Sequence, residues 1–413
     1  MDRKRVVVTG MGAITPLGNN VETFWDGIKN NVNGIDQITI FDTTDFKVHI
    51  GAEVKDFHPE NWMDKKDARR MDRFCQFGVA AAAEAYSDSG LTPESIDSER
   101  FAIIAGSGIG GMLTIEAEHE KLMNKGPNRV SPFMVPMIIS NLLGGNIAIR
   151  YGAQGPCHSI VTACATGTHC IGEAFRLIAH GEADAAFAGA AEAAITPLAM
   201  AGFTNMTALS KKNDPSCSST PFDKERDGFV MGEGGAMMIL EELEHAKARG
   251  AKIYAEVVGY GSTCDAYHIT SPEPTGKGAA TAMKLAIQDA GITPQEVSYI
   301  NAHGTGTPYN DLFETRAIKT IFGDDTTVPI SSTKGLTGHM LGAAGAVEAI
   351  VCVKALMDGY IPATANLITL DEELGLDYVP NTGRNADLQY ALTNSLGFGG
   401  HNGSLLFKKW TEE

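Results

Sequence analysis

The chain repeats itself. Asp88-Ser89-Gly90-Leu91-Thr92-Pro93-Glu94 is echoed by Asp289-Ala290-Gly291-Ile292-Thr293-Pro294-Gln295, and each follows an alanine-rich segment, 79–86 and 279–287. Each also precedes an apolar run ending in a glycine turn: Phe101-Ala102-Ile103-Ile104-Ala105-Gly106, and Ser298-Tyr299-Ile300-Asn301-Ala302-His303-Gly304. Helix, glycine stop, Thr-Pro turn and strand, in that order, write a βαβ unit. Two further echoes follow. Cys164 stands nine positions before Glu173-Ala174, as His339 stands before Glu348-Ala349. Gly234-Gly235-Ala236-Met237-Met238-Ile239-Leu240 pairs with Gly400-His401-Asn402-Gly403-Ser404-Leu405-Leu406. Three matches in one order predict a duplicated α/β chain with halves 1–250 and 251–413 and a seam near Arg249-Gly250-Ala251. Each half is expected to be a mostly parallel sheet with helices packed on it, binding ligands at the carboxyl ends of its strands.

Of 413 residues, 43% are hydrophobic and 20% charged, enough for a substantial core. The 46 glycines point to tight βα turns and close backbone packing. With 33 Lys and Arg against 50 Asp and Glu, the net charge of −17 opposes bulk attraction to nucleic acid or an anionic membrane. The basic start Met1-Asp2-Arg3-Lys4-Arg5 is followed only by Val6-Val7-Val8 before Thr9-Gly10, without the apolar core of a secretory signal. Pro136, Asn141, Glu192 and Pro197 interrupt the richest apolar stretches, so no membrane span is expected. Seven cysteines without a CxxC pair suggest neither a disulfide framework nor a thiolate zinc site. A cytoplasmic enzyme without a metal or cofactor is expected.

Three residues carry the chemistry. Cys164 lies in Thr162-Ala163-Cys164-Ala165-Thr166-Gly167-Thr168, after the apolar run Ser159-Ile160-Val161, which reads as a strand-to-helix turn. Unpaired N–H groups at a helix start lower a thiol's pKa and make thiolate available. A buried structural cysteine is the commoner role for such a residue, but two histidine motifs outweigh it. His303 lies in Asn301-Ala302-His303-Gly304-Thr305-Gly306-Thr307-Pro308, where the glycines admit a substrate backbone and Thr305 and Thr307 offer hydroxyls. His339 ends Ser332-Thr333-Lys334-Gly335-Leu336-Thr337-Gly338-His339. Glycine-walled histidines at strand ends have little packing rationale. The loop Gly106-Ser107-Gly108-Ile109-Gly110-Gly111 fits GxGxxG, but no acidic residue follows on a second strand to hold a ribose, so a dinucleotide is discounted.

The motifs TACATGT, NAHGTGTP, STKGLTGH and NSLGFGGHNG, with MDRKRVVVTGMGAITPLG at the start, resemble those of β-ketoacyl-acyl-carrier-protein synthases. The likeness runs from Arg5 to Trp410 and points in particular to the elongating condensing enzymes of bacterial type II fatty acid synthesis. It implies a thiolase-like fold of two related halves in five α-β-α-β-α layers, working as a homodimer. Cys164 would take an acyl group from acyl carrier protein, with the backbone N–H groups of Cys164 and Phe398 as oxyanion hole. Malonyl-acyl carrier protein would then lose its carboxylate, with neutral His303 and His339 donating to the thioester oxygen. Lys334 would position the site electrostatically, and Phe398 would gate it. Ile109 and Phe203 would line the acyl pocket, and Thr270, Thr305 and Thr307 would contact substrate. The basic residues Lys65, Lys66, Arg69 and Arg70, with Lys125 and Arg129 on another loop, would steer the acidic carrier protein. A structural monovalent cation near Asn301 and Glu348 is compatible with the resemblance.

Some features depart from the commoner pattern: Gly335 and Gly306 stand where many relatives have serine. Neither removes a catalytic group. A coenzyme A-dependent thiolase would need a second cysteine in the last strand-turn, where this chain has Phe398. A non-catalytic chain-length factor would lack the nucleophile. A polyketide-type ketosynthase, sharing the chemistry, is the principal alternative.

Overall fold

The structure, a computed structural model, describes residues 3–412. One ten-stranded sheet runs through the molecule. Its strands in chain order are β1 (Val6–Ile14), β2 (Phe101–Gly106), β3 (Cys157–His158), β4 (Ala185–Glu192), β5 (Gly234–Glu242), β6 (Ala255–Cys264), β7 (Tyr299–Asn301), β8 (Ile330–Ser331), β9 (Tyr390–Gly397) and β10 (His401–Lys409). Their spatial order is β8-β7-β9-β10-β6-β1-β5-β4-β2-β3. The order is a palindrome about the β6/β1 junction, where Val6 faces Val257 and Val8 faces Ala255. Five strands on one side of that junction come from the first part of the chain and five from the second. In each set the strand nearest but one to the junction, β5 or β10, runs against the other four.

Four helices complete the layers: α1 (Arg73–Ser89), α2 (Thr166–Ala179), α3 (Lys277–Asp289) and α4 (Ala344–Asp358). The outer helix α1 covers β1, β5 and β4, and α3 covers β6 and β10. Between the two strand sets, α2 and α4 pack on each other and on both sets. Sheets covered on both faces need continuous apolar strands, and β1, β4 and β5 are buried along their whole length.

The glycine and alanine content follows from one packing device used twice. A Cβ on Gly12 would lie 1.9 Å from the Ala81 carbonyl oxygen of α1, and a Cβ on Gly261 1.9 Å from that of Ala282 on α3. Gly10 against Ala85 and Gly259 against Ala286 repeat the contact one step along, at 2.2 and 2.0 Å. Asp88 accepts the Met11 amide as Asp289 accepts that of Tyr260. The first sequence echo is therefore a structural one.

The other two echoes need a change of register. Gly12 faces Met237 and Gly261 faces Ser404, so the counterpart of Met237 is Ser404 rather than Gly403. A one-residue slip exchanges the faces of a strand. Likewise α2 and α4 are each preceded by a 3-10 turn, Ala163–Ala165 and Leu341–Ala343, opened by residues with φ of +49° and +46°. The counterpart of Cys164 is thus Gly342, and His339 lies upstream of the equivalent turn.

Candidate active site

Cys164 is the middle residue of the turn Ala163–Ala165 at the N-terminus of α2. The strand expected at 159–161 is absent: β3 ends at His158, because the following segment leaves the sheet to cross the end of β2. There the Ile160 carbonyl oxygen would lie 2.1 Å from a Cβ on Gly106. Ala163, at φ +49°, holds a backbone conformation that costs a non-glycine residue about 1–3 kcal/mol. The Thr166 hydroxyl stabilises it, donating to the Ala163 carbonyl at 2.7 Å and accepting the Thr162 amide at 2.9 Å.

His303 lies two residues past the end of β7, and His339 is held in a backbone bridge to Met231, donating its amide to the Val230 carbonyl at 2.7 Å. Cys164, His303, His339 and Phe398 line one cavity of about 400 Å³, together with Phe203, Thr270, Thr305 and Thr307. Ile109 and Phe203 pack against the apolar cluster that contains Cys164. The imidazoles meet edge to face, ring centres 5.2 Å apart, and Phe229 packs edge-on against His339 at 5.1 Å. Lys334 lies behind the cavity, 1% exposed, donating to the His303 carbonyl and paired with Glu348.

Burial pushes the Cys164 thiol up to about 12, which reverses the lowering expected from its helix position. Desolvation outweighs three opposing influences: the Lys334 charge and the amides of Phe398 and Cys164 that face the sulfur. Both histidines are pushed well below their usual range, first by burial and then by the Lys334 charge, so both imidazoles are neutral. Each Nδ1 is buried without a hydrogen-bond partner.

Three supporting residues escaped sequence reading. Glu314 accepts the amides of His303 and Gly304 at 2.7 and 2.8 Å. Glu192 accepts the Ser107 hydroxyl and the amides of Gly108, Ile109 and Gly342, tying the 106–111 loop to the turn before α4. Phe229 backs His339. No local motif marks any of them, because each acts on a segment remote in sequence.

Phe398 opens the three-residue turn between β9 and β10, half-buried, its ring 6.4 Å from that of Phe203. Gly399 and Gly400 take φ of +87° and +75°, and the Gly399 amide donates to the Ile269 carbonyl at 2.8 Å. A Cβ on Gly397 would approach the Cys164 amide nitrogen to 3.3 Å, so this hairpin lies against the turn that carries Cys164. Gly335 faces the Ala365 carbonyl, which a Cβ would meet at 2.7 Å, and Gly306 has φ +77°; both explain the departures from serine.

Lys65 and Lys66 sit exposed on the short helix Lys65–Ala68, with Arg69 next to it, and Lys125 and Arg129 are exposed further on. Arg70 stacks on Phe133 at 4.7 Å. None of these basic residues lines the cavity. Behind the histidines, Asn301 Oδ1 and Glu348 Oε2 are buried acceptors without hydrogen-bond partners, a donor set that fits a monovalent cation. No helix among the described residues is long and apolar enough to cross a membrane.

Comparison with known proteins agrees with this site. Residues 3–246 match the family model of the beta-ketoacyl synthase N-terminal domain and residues 254–368 that of its C-terminal domain. The chain is 52% identical over 412 residues to a 3-oxoacyl-[acyl-carrier-protein] synthase 2 of Synechocystis sp., covering 99% of each. Among solved structures, the ishigamide ketosynthase/chain length factor superposes with a TM-score of 0.93 at 37% identity, covering 99% of this chain and 100% of that one. A type II polyketide acyl-carrier protein in complex with its ketosynthase, bound to the hexaketide, gives 0.91 at 33% identity, with 99% and 100% coverage. The duplicated fold, the buried thiol beside two neutral imidazoles and these likenesses place the chain in the beta-ketoacyl synthase family, among condensing enzymes of fatty acid elongation.

Proposed function

We propose that Cys164 carries the growing acyl chain and that His303 and His339 drive decarboxylation of the extender. The observation behind this reading is the single cavity that brings one thiol together with two imidazoles held neutral by burial and by Lys334. In acylation, Cys164 Sγ attacks the thioester carbonyl of acyl-acyl carrier protein, the carrier's C–S bond breaks, and the thiol proton ends on the departing sulfur. The amides of Cys164 and Phe398 donate hydrogen bonds to the oxyanion. In condensation, the malonyl C–C bond breaks to release CO2, and the enolate oxygen receives hydrogen bonds from the two imidazoles. The enolate carbon attacks the Cys164 thioester, the C–Sγ bond breaks, and Cys164 takes a proton from solvent. The product is 3-oxoacyl-acyl carrier protein. A monovalent cation held by Asn301 and Glu348 would supply fixed charge that orders the polar layer behind His303. Ile109 and Phe203 line the acyl end, Thr270, Thr305 and Thr307 the approach, and Phe398 gates between the two substrates.

Carrier-protein recognition belongs to the same proposal: Lys65, Lys66, Arg69 and Arg129 form exposed positive charge on a chain of net −17. So does a homodimer working in the cytoplasm. The edge strand β3 is exposed, whereas its counterpart β8 is buried, and Val135, Ile149 and Val161 are exposed on the same part of the chain. An uncovered sheet edge beside apolar side chains is what a second copy would cover. The halves 1–250 and 251–413 would each contribute one side of the site.

The test is loading with acyl-acyl carrier protein of graded chain length, with the adduct located by mass spectrometry. A Cys164 adduct in the wild type and none in Cys164→Ala is expected. An adduct retained by Cys164→Ala would overturn the assignment.

A further inference from the structure

Besides the Thr166 hydroxyl bonds, the duplication sets apart a second, partly buried polar contact at the Cys164 turn that the second half lacks. Ala163 and Leu341 are counterparts, both at positive φ, each opening a 3-10 turn that feeds a buried helix. In the second half the flanking positions are Met340 and Val347, both apolar and buried. In the first half they are Thr162 and His169, and Thr162 Oγ1 lies 2.7 Å from His169 Nδ1. The second-half turn, tied to Glu192 through the Gly342 amide, forms without such a Thr–His contact, which leaves the contact in the first half free for another role.

His169 is 4% exposed on α2. Its Nε2 faces the Asn402 carbonyl oxygen at 3.3 Å and the Ser262 hydroxyl at 3.3 Å. A carbonyl only accepts, so Nε2 carries the proton and Nδ1 accepts from Thr162, a single tautomer. Burial lowers the pKa of this ring and keeps it neutral. A Cβ on Gly403 would lie 3.0 Å from His169 Nε2, so the hairpin rests on the imidazole. The ring thus joins two segments. Thr162 stands two residues before Cys164, and Asn402 four residues after Phe398 in the β9/β10 hairpin.

Building on the assignment of Cys164 as nucleophile, we infer that His169 is a positioning residue: by clamping Thr162 to Asn402 it sets the spacing between the Cys164 and Phe398 amides that receive the oxyanion. The oxyanion donors sit on separate segments, and misplacing such groups by about 1 Å costs up to about a hundredfold in rate. The clamp occurs only in the half that carries the thiol, where that spacing matters.

Three variants test this. Thr162→Val removes the hydroxyl at constant shape. His169→Asn keeps an acceptor near Thr162, and His169→Gln keeps a donor near Asn402. Single-turnover acylation of Cys164 by an acyl-pantetheine thioester, followed by intact mass, should slow about ten- to a hundredfold in each. Alkylation of Cys164 by iodoacetamide, which builds no oxyanion and feels the two amides only through the thiolate, should slow far less than acylation, and Thr162→Val combined with His169→Asn should be no slower than the slower single variant. Wild-type acylation in Thr162→Val and the His169 variants overturns the inference. So does a parallel loss of acylation and alkylation, which would mean a purely structural role. Should the His169 variants fail to fold, Thr162→Val alone decides. Absence of any Cys164 adduct in the wild type would instead refute the nucleophile assignment.

Discussion

Lys334 Nζ donates a hydrogen bond to the main-chain carbonyl of His303. The same ammonium pairs with Glu348 and sits close enough to Cys164 and both imidazoles to bias their protonation. One buried cation therefore acts in the same sense on all three groups, lowering each pKa: it favours the thiolate of Cys164 and disfavours the imidazolium of His303 and His339. Both effects serve the proposed reaction, which needs an ionisable thiol beside neutral hydrogen-bond donors. On the proposed mechanism Lys334 would act as an electrostatic organiser rather than a proton donor, in keeping with its place behind the cavity.

Removing that charge should raise all three pKa values, with different consequences for the two half-reactions. In Lys334→Met, Cys164 alkylation at a fixed pH should slow, because the thiol pKa rises further. The acid limb of malonyl decarboxylation should move up towards the ordinary imidazole pKa, because the histidines protonate more readily. Combining the change with Glu348→Gln avoids leaving a buried unpaired carboxylate. Alkylation and decarboxylation pH profiles on both proteins check the idea, and unmoved profiles would contradict it.

The histidines themselves should separate the two half-reactions. One oxyanion-type donor is worth about a hundred- to a thousandfold in rate. His303→Ala and His339→Ala should therefore lose about that much CO2 release from labelled malonyl-acyl carrier protein, while Cys164 still acylates at an appreciable rate. In the wild type, decarboxylation should stay flat as pH falls through the ordinary imidazole range and decline only well below it, since burial and the Lys334 charge hold both rings neutral there. Wild-type CO2 release from both variants would remove the electrostatic core of the mechanism.

Carrier-protein steering predicts a substrate-dependent loss. Lys65→Glu with Arg69→Glu should weaken turnover of acyl-acyl carrier protein at low salt, an effect that fades as ionic strength rises. A small pantetheine thioester, which needs no protein docking, should react almost as before. Steady-state kcat/KM on both substrates across a salt series is the measurement. Equal losses would place the docking surface elsewhere.

Much of this was legible in the sequence because the informative features are local. The helix–glycine–Thr-Pro–strand repeat and the short motifs around Cys164, His303 and His339 are each written in consecutive residues. The registers of the second and third echoes were not legible: a duplicated Ala/Gly-rich segment aligns nearly as well one or three residues off, and only strand pairing distinguishes Ser404 from Gly403. The direction of the Cys164 shift was missed for a related reason. A helix N-terminus is visible in sequence, whereas the burial that outweighs it depends on residues from both halves. Glu192 and Glu314 were invisible on the same ground, since their partners lie on other segments.

The duplicated packing device gives a prediction about stability rather than chemistry. Gly12→Ala and Gly261→Ala each place a methyl 1.9 Å from a helix carbonyl, and a backbone atom cannot rotate away as a side chain can. Helices α1 and α3 must shift outward from β1 and β6, and overpacking of this kind costs about 1–3 kcal/mol. Equivalent contacts in the two halves should give similar losses in thermal midpoint. The control is Gly202, inside the helix Pro197–Asn205, where a Cβ would meet nothing within 4 Å. There alanine should be neutral or stabilising by up to about 1 kcal/mol, from helix propensity alone. Thermal unfolding of the three variants is decisive: if Gly12→Ala and Gly261→Ala melt with the wild type, or if Gly202→Ala falls as far as they do, close strand–helix approach is not what these glycines provide.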